Sequence, residues 1–345
     1  MRVLIIKTSS MGDIIHTLPA LTDAMMAIRD IQFDWVVEDS FADIPAWHPA
    51  VDTVIPVSLR RWRKQPFKAI VSGEWKQFKQ RLREHSYDYV IDAQGLIKSA
   101  FICKRAHGQS HGFDKASARE GLASRAYDVT HFVPRKQHAV QRVRRLFACA
   151  LRYSMPDRMP DYGLARDHFQ MHDSEPDYAI FLHATTWSSK HWPVEYWQQL
   201  AQRAAADNIT VYLPWGNEDE RLRAEQIAQA VPQAHVLSAM SLNQLATRMA
   251  AARFVVGIDT GLAHLTAALG VPSVTLYGST RADLTGTLGA CQVNLEVDFD
   301  CAPCMKRECL YQGSVTVTPA CYQTLPPDKV WNEVQTLLAK QASKL

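Results

Sequence analysis

The chain has no apolar run long enough to cross a bilayer, and Met1-Arg2 leads straight into the short strand Val3–Ile6 without an apolar leader. A cytoplasmic protein with its 7 cysteines reduced is therefore expected. Net charge is also scarce: +3 over 345 residues is too little for bulk nucleic-acid binding, so no nucleic-acid partner is expected. The loop after the first strand lacks Gly-x-Gly-x-x-Gly, which argues against a nicotinamide enzyme. No Asp-x-Asp stands in a loop placed to hold a divalent metal, and there is no internal repeat or low-complexity tract. With 47% hydrophobic and 21% charged residues the chain can fill two cores of ordinary size, which excludes disorder.

The most informative stretch present is Phe254–Tyr277. Phe254-Val255-Val256 reads as a strand buried on both faces, and Leu262–Leu269 has apolar residues at helical spacing. Gly270 stands where a left-handed cap belongs, Pro272 blocks continuation, and Ser273–Tyr277 is the next strand. The loop Asp259-Thr260-Gly261 thus opens a helix. Its free N–H groups suit a phosphate, with the Thr260 hydroxyl and His264 in the first turn as further donors. Alternatively Asp259 or Thr260 only caps the helix.

At the N-terminus, Val3–Ile6 runs into Lys7-Thr8-Ser9-Ser10-Met11-Gly12-Asp13, and Pro19 suits the start of a separate helix reaching about Ile28. Asp13 reads either as a helix-start acid or as a general base at the carboxyl end of strand one. Leu59–Lys64 interleaves Arg60, Arg61, Arg63 and Lys64 with Trp62, either a solvated face or a patch for an anionic substrate or membrane. Tyr87–Ile91 is a strand leading to a loop–helix junction that carries Lys98, Ala106–Pro134 reads as loop-rich, and His138–Leu151 is a basic helix.

Met155–Pro176 has no periodic pattern and reads as the linker. Beyond it, Tyr178–Leu182 is a strand whose loop carries Thr185, Thr186 and Lys190, donors and a point charge for phosphate oxygens. After Thr210–Leu213, Glu220 is placed either to accept ribose hydroxyls or to start a helix. Met240 follows another strand, as core or as a soft surface for an adenine face. Cys301, Cys304, Cys309 and Cys321 read as free or paired thiols, or as a zinc set, with no metal as the default.

Several blocks together resemble the lipopolysaccharide heptosyltransferases, from Met1 to about Ala290. They are Lys7–Asp13, Leu59–Lys64, Val90–Ala100, His183–Pro193, Leu213–Gly216 and Asp259–His264. The resemblance implies an α/β fold of the GT-B type, two Rossmann-like domains facing each other across a cleft. Residues 1–160 would bind acceptor and 175–325 ADP-heptose, with a C-terminal helix at 326–345 packing back on the first domain. It implies ADP-heptose as donor, Kdo2-lipid A as acceptor, no cofactor, and peripheral attachment to the cytoplasmic face of the inner membrane. It also implies Asp13 as the base of an inverting transfer, and Thr185, Thr186, Lys190, Glu220, Met240, Asp259, Thr260, Gly261 and His264 as donor contacts. Ser10, Arg60, Arg61, Arg63, Lys64, Lys98 and Arg119 would fall on the acceptor side. Rival readings are another ADP-sugar transferase of the same pathway and a non-catalytic ADP-binding module docked on anionic lipid. If Asp13 is the base, burial should raise its pKa from about 3.9 toward a useful value.

Overall fold

The computed structural model describes residues 1–65, 67, 71–169 and 177–343, and it divides into two compact units, Met1–Leu164 and Ala165–Leu345. Residues 170–176 of the expected linker lie outside the described residues, as do 344–345. The first unit holds strands β1 (Arg2–Ile6), β2 (Gln32–Glu38), β3 (Val51–Val57), β4 (Ser86–Asp92), β5 (His107–Phe113) and β6 (Val129–His131). The second holds β7 (Tyr178–Leu182), β8 (Thr210–Leu213), β9 (Ala234–Val236), β10 (Phe254–Ile258), β11 (Ser273–Tyr277) and β12 (Gln292–Glu296).

Every strand pair is parallel, and the orders are β3-β2-β1-β4-β5-β6 and β12-β11-β10-β7-β8-β9. Numbered within its own unit, each sheet runs 3-2-1-4-5-6, the Rossmann order. In each the chain reverses its direction of winding between the first and fourth strands, β1/β4 and β7/β10. Helices must cover both faces, so central strands such as β1, β7 and β10 are continuous apolar runs with almost no exposed residue.

One segment departs from expectation. Ala106–Pro134 is not mainly loop: it supplies β5 and β6. The polar β5 sequence His-Gly-Gln-Ser-His-Gly-Phe hides its strand character, and parallel pairing with β4 decides the matter. The C-terminal helix Pro327–Ala342 belongs to the second unit and takes part in its core. Val330, Val334 and Leu337 on its apolar face enter the second unit's core beside Trp192, Trp197 and Phe254. Gly270 does take the expected left-handed conformation, with φ of 67°.

In the first unit, a buried ion pair joins helix Ala139–Leu151 to helix Leu18–Ala27. Arg144 donates from Nε to Asp23 Oδ2 at 2.6 Å, and both side chains are 1% exposed. Its remaining N–H groups meet the carbonyls of Pro156 and Arg158, pinning the chain that leaves this unit. Arg144→Leu leaves the buried Asp23 carboxylate only the 3.5 Å contact from Arg158 and should destabilise by about 3–5 kcal/mol. The double variant Asp23→Leu/Arg144→Leu should recover most of that in denaturant unfolding. Equal destabilisation of both variants would locate the loss in packing instead.

Candidate active site

At the end of β1 the chain turns into the short helix Met11–Ile15, and Asp13 accepts from the Ser10 backbone N–H at 3.2 Å. Asp13 thus does act as the helix-start acid, and the same carboxylate lines the recess described below. Lys7, 5% exposed, donates from Nζ to the Ala93 carbonyl at the end of β4 and stands 3.5 Å from Asp13 Oδ1. Arg119 reaches the same carboxylate over 3.4 and 3.5 Å. Burial pushes the Asp13 carboxyl up, but Lys7, Arg119 and His16 pull it down further and hold it well below the usual carboxylate range. That corrects the expectation of a raised pKa: the cations around this acid outweigh its desolvation.

The β4 loop fastens this arrangement. Asp92 Oδ1 accepts from the N–H groups of Gln94 and Gly95, and Tyr127 donates to its other oxygen at 2.7 Å. The turn needs Gly95, whose φ is +66°. Gln94 in turn accepts from Thr8 and Ser9 N–H and donates to the Ser9 carbonyl, clamping the loop that carries Asp13. Beside them lies a recess of about 50 Å³ lined by Lys7, Asp13, Arg119 and Arg142, a seat with one anion and three cations.

The second unit repeats the plan with a different product. Lys190, from the loop after β7, donates to Asp259 Oδ2 at 2.7 Å, and Thr280, after β11, donates to the same oxygen at 2.7 Å. His264 Nε2 stands 3.8 Å from Asp259 Oδ1. Burial raises the Asp259 carboxyl, and His264 and Lys190 more than reverse this, so it stays ionised. Thr260 is the N-cap of helix Gly261–Ala268, so the N–H groups of its first turn start beside the Lys190 ammonium. Tyr322 holds the Lys190 carbonyl at 2.8 Å, and Gly278 is bare because a Cβ there would come within 2.8 Å of the Tyr322 ring.

Asp13 and Arg119 therefore line one recess with Ser10 bonded to Asp13, and Lys190, Asp259 and His264 cluster at the helix start formed by Thr260 and Gly261. Thr185 lies in the β7 loop with its backbone bonded to His191, and Thr186 is exposed beside it. Glu220 accepts from Gly216 N–H at 2.8 Å at the start of helix Glu218–Ala228, and Met240 precedes helix Leu242–Ala251. Arg60, Arg61, Arg63 and Lys64 form the exposed helix Leu59–Lys64, where Arg61 pairs with Glu74. Arg63 and Lys98 line a larger concavity than the one that holds Asp13.

Lys7, Gln94, Arg142 and Thr280 carry weight that residue type alone did not reveal. Their position at the ends of β1, β4 and β11, or on a helix facing them, was the available signal. All seven cysteines are unpaired; burial pushes the Cys321 thiol up to about 12. Among the described residues no set of His, Cys, Asp and Glu side chains is arranged to hold a metal, and no helix is long and apolar enough to cross a membrane.

Comparison with known proteins places the chain as a whole. Residues 75–314 match the model of glycosyltransferase family 9 (heptosyltransferase). The chain is 50% identical to lipopolysaccharide heptosyltransferase 1 of Pseudomonas aeruginosa, over 98% of each chain. It is 52% identical to the Escherichia coli enzyme of the same name, over 85% of this chain and 92% of that one. Among solved structures it is similar to E. coli heptosyltransferase WaaC with ADP-2-deoxy-2-fluoro heptose, with a TM-score of 0.83, 45% identity, and 97% and 99% of the two chains covered. E. coli heptosyltransferase II, at 20% identity and a TM-score of 0.76, shares the fold.

The Lys190–Asp259 pair makes a claim on pH. Because the folded Asp259 carboxyl is depressed, its stabilising contribution is full above the unfolded value of about 3.9 and fades as pH falls below it. Lys190→Met removes one cause of that depression. The stability gap between wild type and Lys190→Met should be widest above about pH 5 and close toward pH 2 in urea titrations. A gap that does not change with pH would mean the pair adds packing and no charge linkage.

Proposed function

We propose a mechanism and an acceptor for a chain that belongs to glycosyltransferase family 9, the heptosyltransferases. The protein is an α/β enzyme of the GT-B class that transfers heptose from ADP-heptose in lipopolysaccharide inner-core synthesis. In our reading the acceptor is Kdo2-lipid A, met at the cytoplasmic face of the inner membrane, and the second unit takes the donor. Lys190, Thr185, Thr186 and the N–H groups of Thr260 and Gly261 face the diphosphate. Glu220 and Met240 suit the ribose and adenine. Asp259 orients Lys190 and offers Oδ1 to a sugar hydroxyl, with His264 beside it.

A Kdo hydroxyl attacks the anomeric carbon, the bond from that carbon to the phosphate oxygen breaks, and ADP leaves with the electron pair. Configuration inverts, and the hydroxyl proton passes to Asp13. The observation that carries this reading is the recess in which a single ionised carboxylate is ringed by Lys7, Arg119 and Arg142. Such a seat fits a sugar acid: the Kdo carboxylate competes with Asp13 for the exposed Arg119 guanidinium. As Arg119 turns to it, the Asp13 carboxyl regains basicity when the acceptor is in place. Ser10, Arg60, Arg61, Arg63, Lys64 and Lys98 belong to the acceptor side, where the basic helix meets lipid phosphates.

Incubation with ADP-heptose and Kdo2-lipid A, followed by mass spectrometry, should yield one added heptose. Asp13→Asn should cut turnover about 10²–10⁴-fold with ADP affinity unchanged, and near-normal turnover would remove Asp13 from the base role.

The pH profile is a second check. Ionised Asp13 is the active form, so its low pKa puts the acid limb of kcat/KM below the range of an ordinary aspartate. Arg119→Ala should move that limb upward and raise the acceptor KM, and an unmoved limb would mean Arg119 does not tune Asp13. Gly261→Val should weaken ADP binding where Leu262→Ala does not, as read by calorimetric titration. Unchanged ADP affinity in a destabilised Gly261→Val would make that turn architecture only.

A further inference from the structure

The first unit has a concavity of about 840 Å³ that the transfer chemistry leaves unused, opening among helices Leu59–Lys64, Glu74–Arg81 and Ile97–Cys103. Its wall is apolar and largely aromatic. Trp62 meets Trp75 edge-on with centroids 5.6 Å apart, and Trp75 stacks on Phe101 at 6.2 Å. Ile97 and Phe101 are 53% and 47% exposed, a contiguous apolar surface that folding alone would have buried.

Around this wall the charges are positive. Arg63 and Lys98 line the groove, Lys79 sits over the Trp75 ring at 5.8 Å and Arg105 over the Phe101 ring at 3.1 Å. The neighbouring acids are committed elsewhere: Glu120 accepts from Ile97 N–H at 2.6 Å, and Glu74 accepts from Arg61 and Trp62. The chain also links the groove to the surroundings of Asp13. Glu120 follows Arg119, whose guanidinium reaches Asp13, and Glu120 N–H donates to the Gly95 carbonyl in the loop that carries Gln94.

An apolar trough with a cationic rim, beginning one residue from the acceptor's arginine, fits an alkyl chain carried by an anionic head. A nucleotide or free sugar would require hydrogen-bonding groups on the wall, and the wall supplies rings and aliphatic carbons. We propose that this groove holds an acyl chain of the glycolipid acceptor, with Arg63 and Lys98 against its anionic head. The proposal rests on the acceptor reading above and adds that the lipid portion is itself recognised.

The test uses the full-length enzyme, ADP-heptose and two acceptors below their micelle-forming concentrations. One is the Kdo2-glucosamine disaccharide phosphate stripped of acyl chains, and the other is the same molecule bearing one N-linked acyl chain. Wild type should show an acceptor KM at least tenfold lower for the acylated form, falling as the chain lengthens, because each buried methylene tightens binding up to about fourfold. The double variant Ile97→Gln/Phe101→Gln should abolish that advantage and leave kcat and KM for the stripped acceptor unchanged. A variant that impairs both acceptors alike, or a wild type that does not distinguish them, overturns the groove.

A second readout needs no turnover. A brominated alkyl phosphate should quench tryptophan fluorescence in wild type, less in Trp62→Phe/Trp75→Phe, and less in the glutamine variant at equal ligand. Absent transfer to either acceptor would overturn the acceptor reading, and the groove would then stand on this quenching or fall with its absence.

Discussion

Everything chemical in this protein depends on a topological constraint. A sheet of parallel strands brings all its strand ends of one polarity to one edge, and connections that diverge from the first strand leave a crevice between strands one and four. The chain meets this constraint twice, at β1/β4 and at β7/β10. Asp13 and Gln94 occupy the first crevice, and Lys190 and Asp259 the second. Neither pair is near in sequence; the strand order makes them neighbours.

In both crevices a largely covered carboxylate stays ionised because a lysine and further cations or donors outweigh the cost of removing it from water. The two differ in how loosely the partners are held. Asp259 is fixed by short bonds from Lys190 and Thr280, and its carboxylate serves to aim an ammonium. Asp13 has only long contacts to Lys7 and Arg119, and the guanidinium is 55% exposed. In the mechanism we propose, a carboxylate whose counter-charges can be drawn away by a ligand becomes a base that gains strength when the ligand arrives. One arrangement of charges thus gives a tightly held carboxylate–ammonium pair in one unit and a loosely held carboxylate in the other.

Local sequence was sufficient wherever the physics is local. The apolar runs Val3–Ile6, Tyr178–Leu182 and Phe254–Val256 lie in strands because only a doubly covered parallel sheet buries such runs on both sides. Gly270 and Pro272 ended a helix for backbone reasons any fold would respect. Asp13, Lys190 and Asp259–Gly261 do stand in loops that follow strand ends, the positions where α/β folds hold ligands. Where local pattern was weak, reading failed: β5 is polar, and its strand character comes from its β4 neighbour.

What the amino-acid sequence by itself determined was the alternation of strand and helix, the loops that carry chemistry, and the family whose motifs they match. Tertiary structure decided the rest, because each remaining property is set by groups distant in sequence. The Asp13 carboxyl is held down, against expectation, by Lys7 and then by Arg119, which the fold delivers across 106 residues. Gln94 became a clamp only by reaching Ser9 across 85 residues. Helix Pro327–Ala342 joined the second unit because its apolar face matched that core. Charge, distance and burial are pairwise quantities, and the fold alone chooses the pairs.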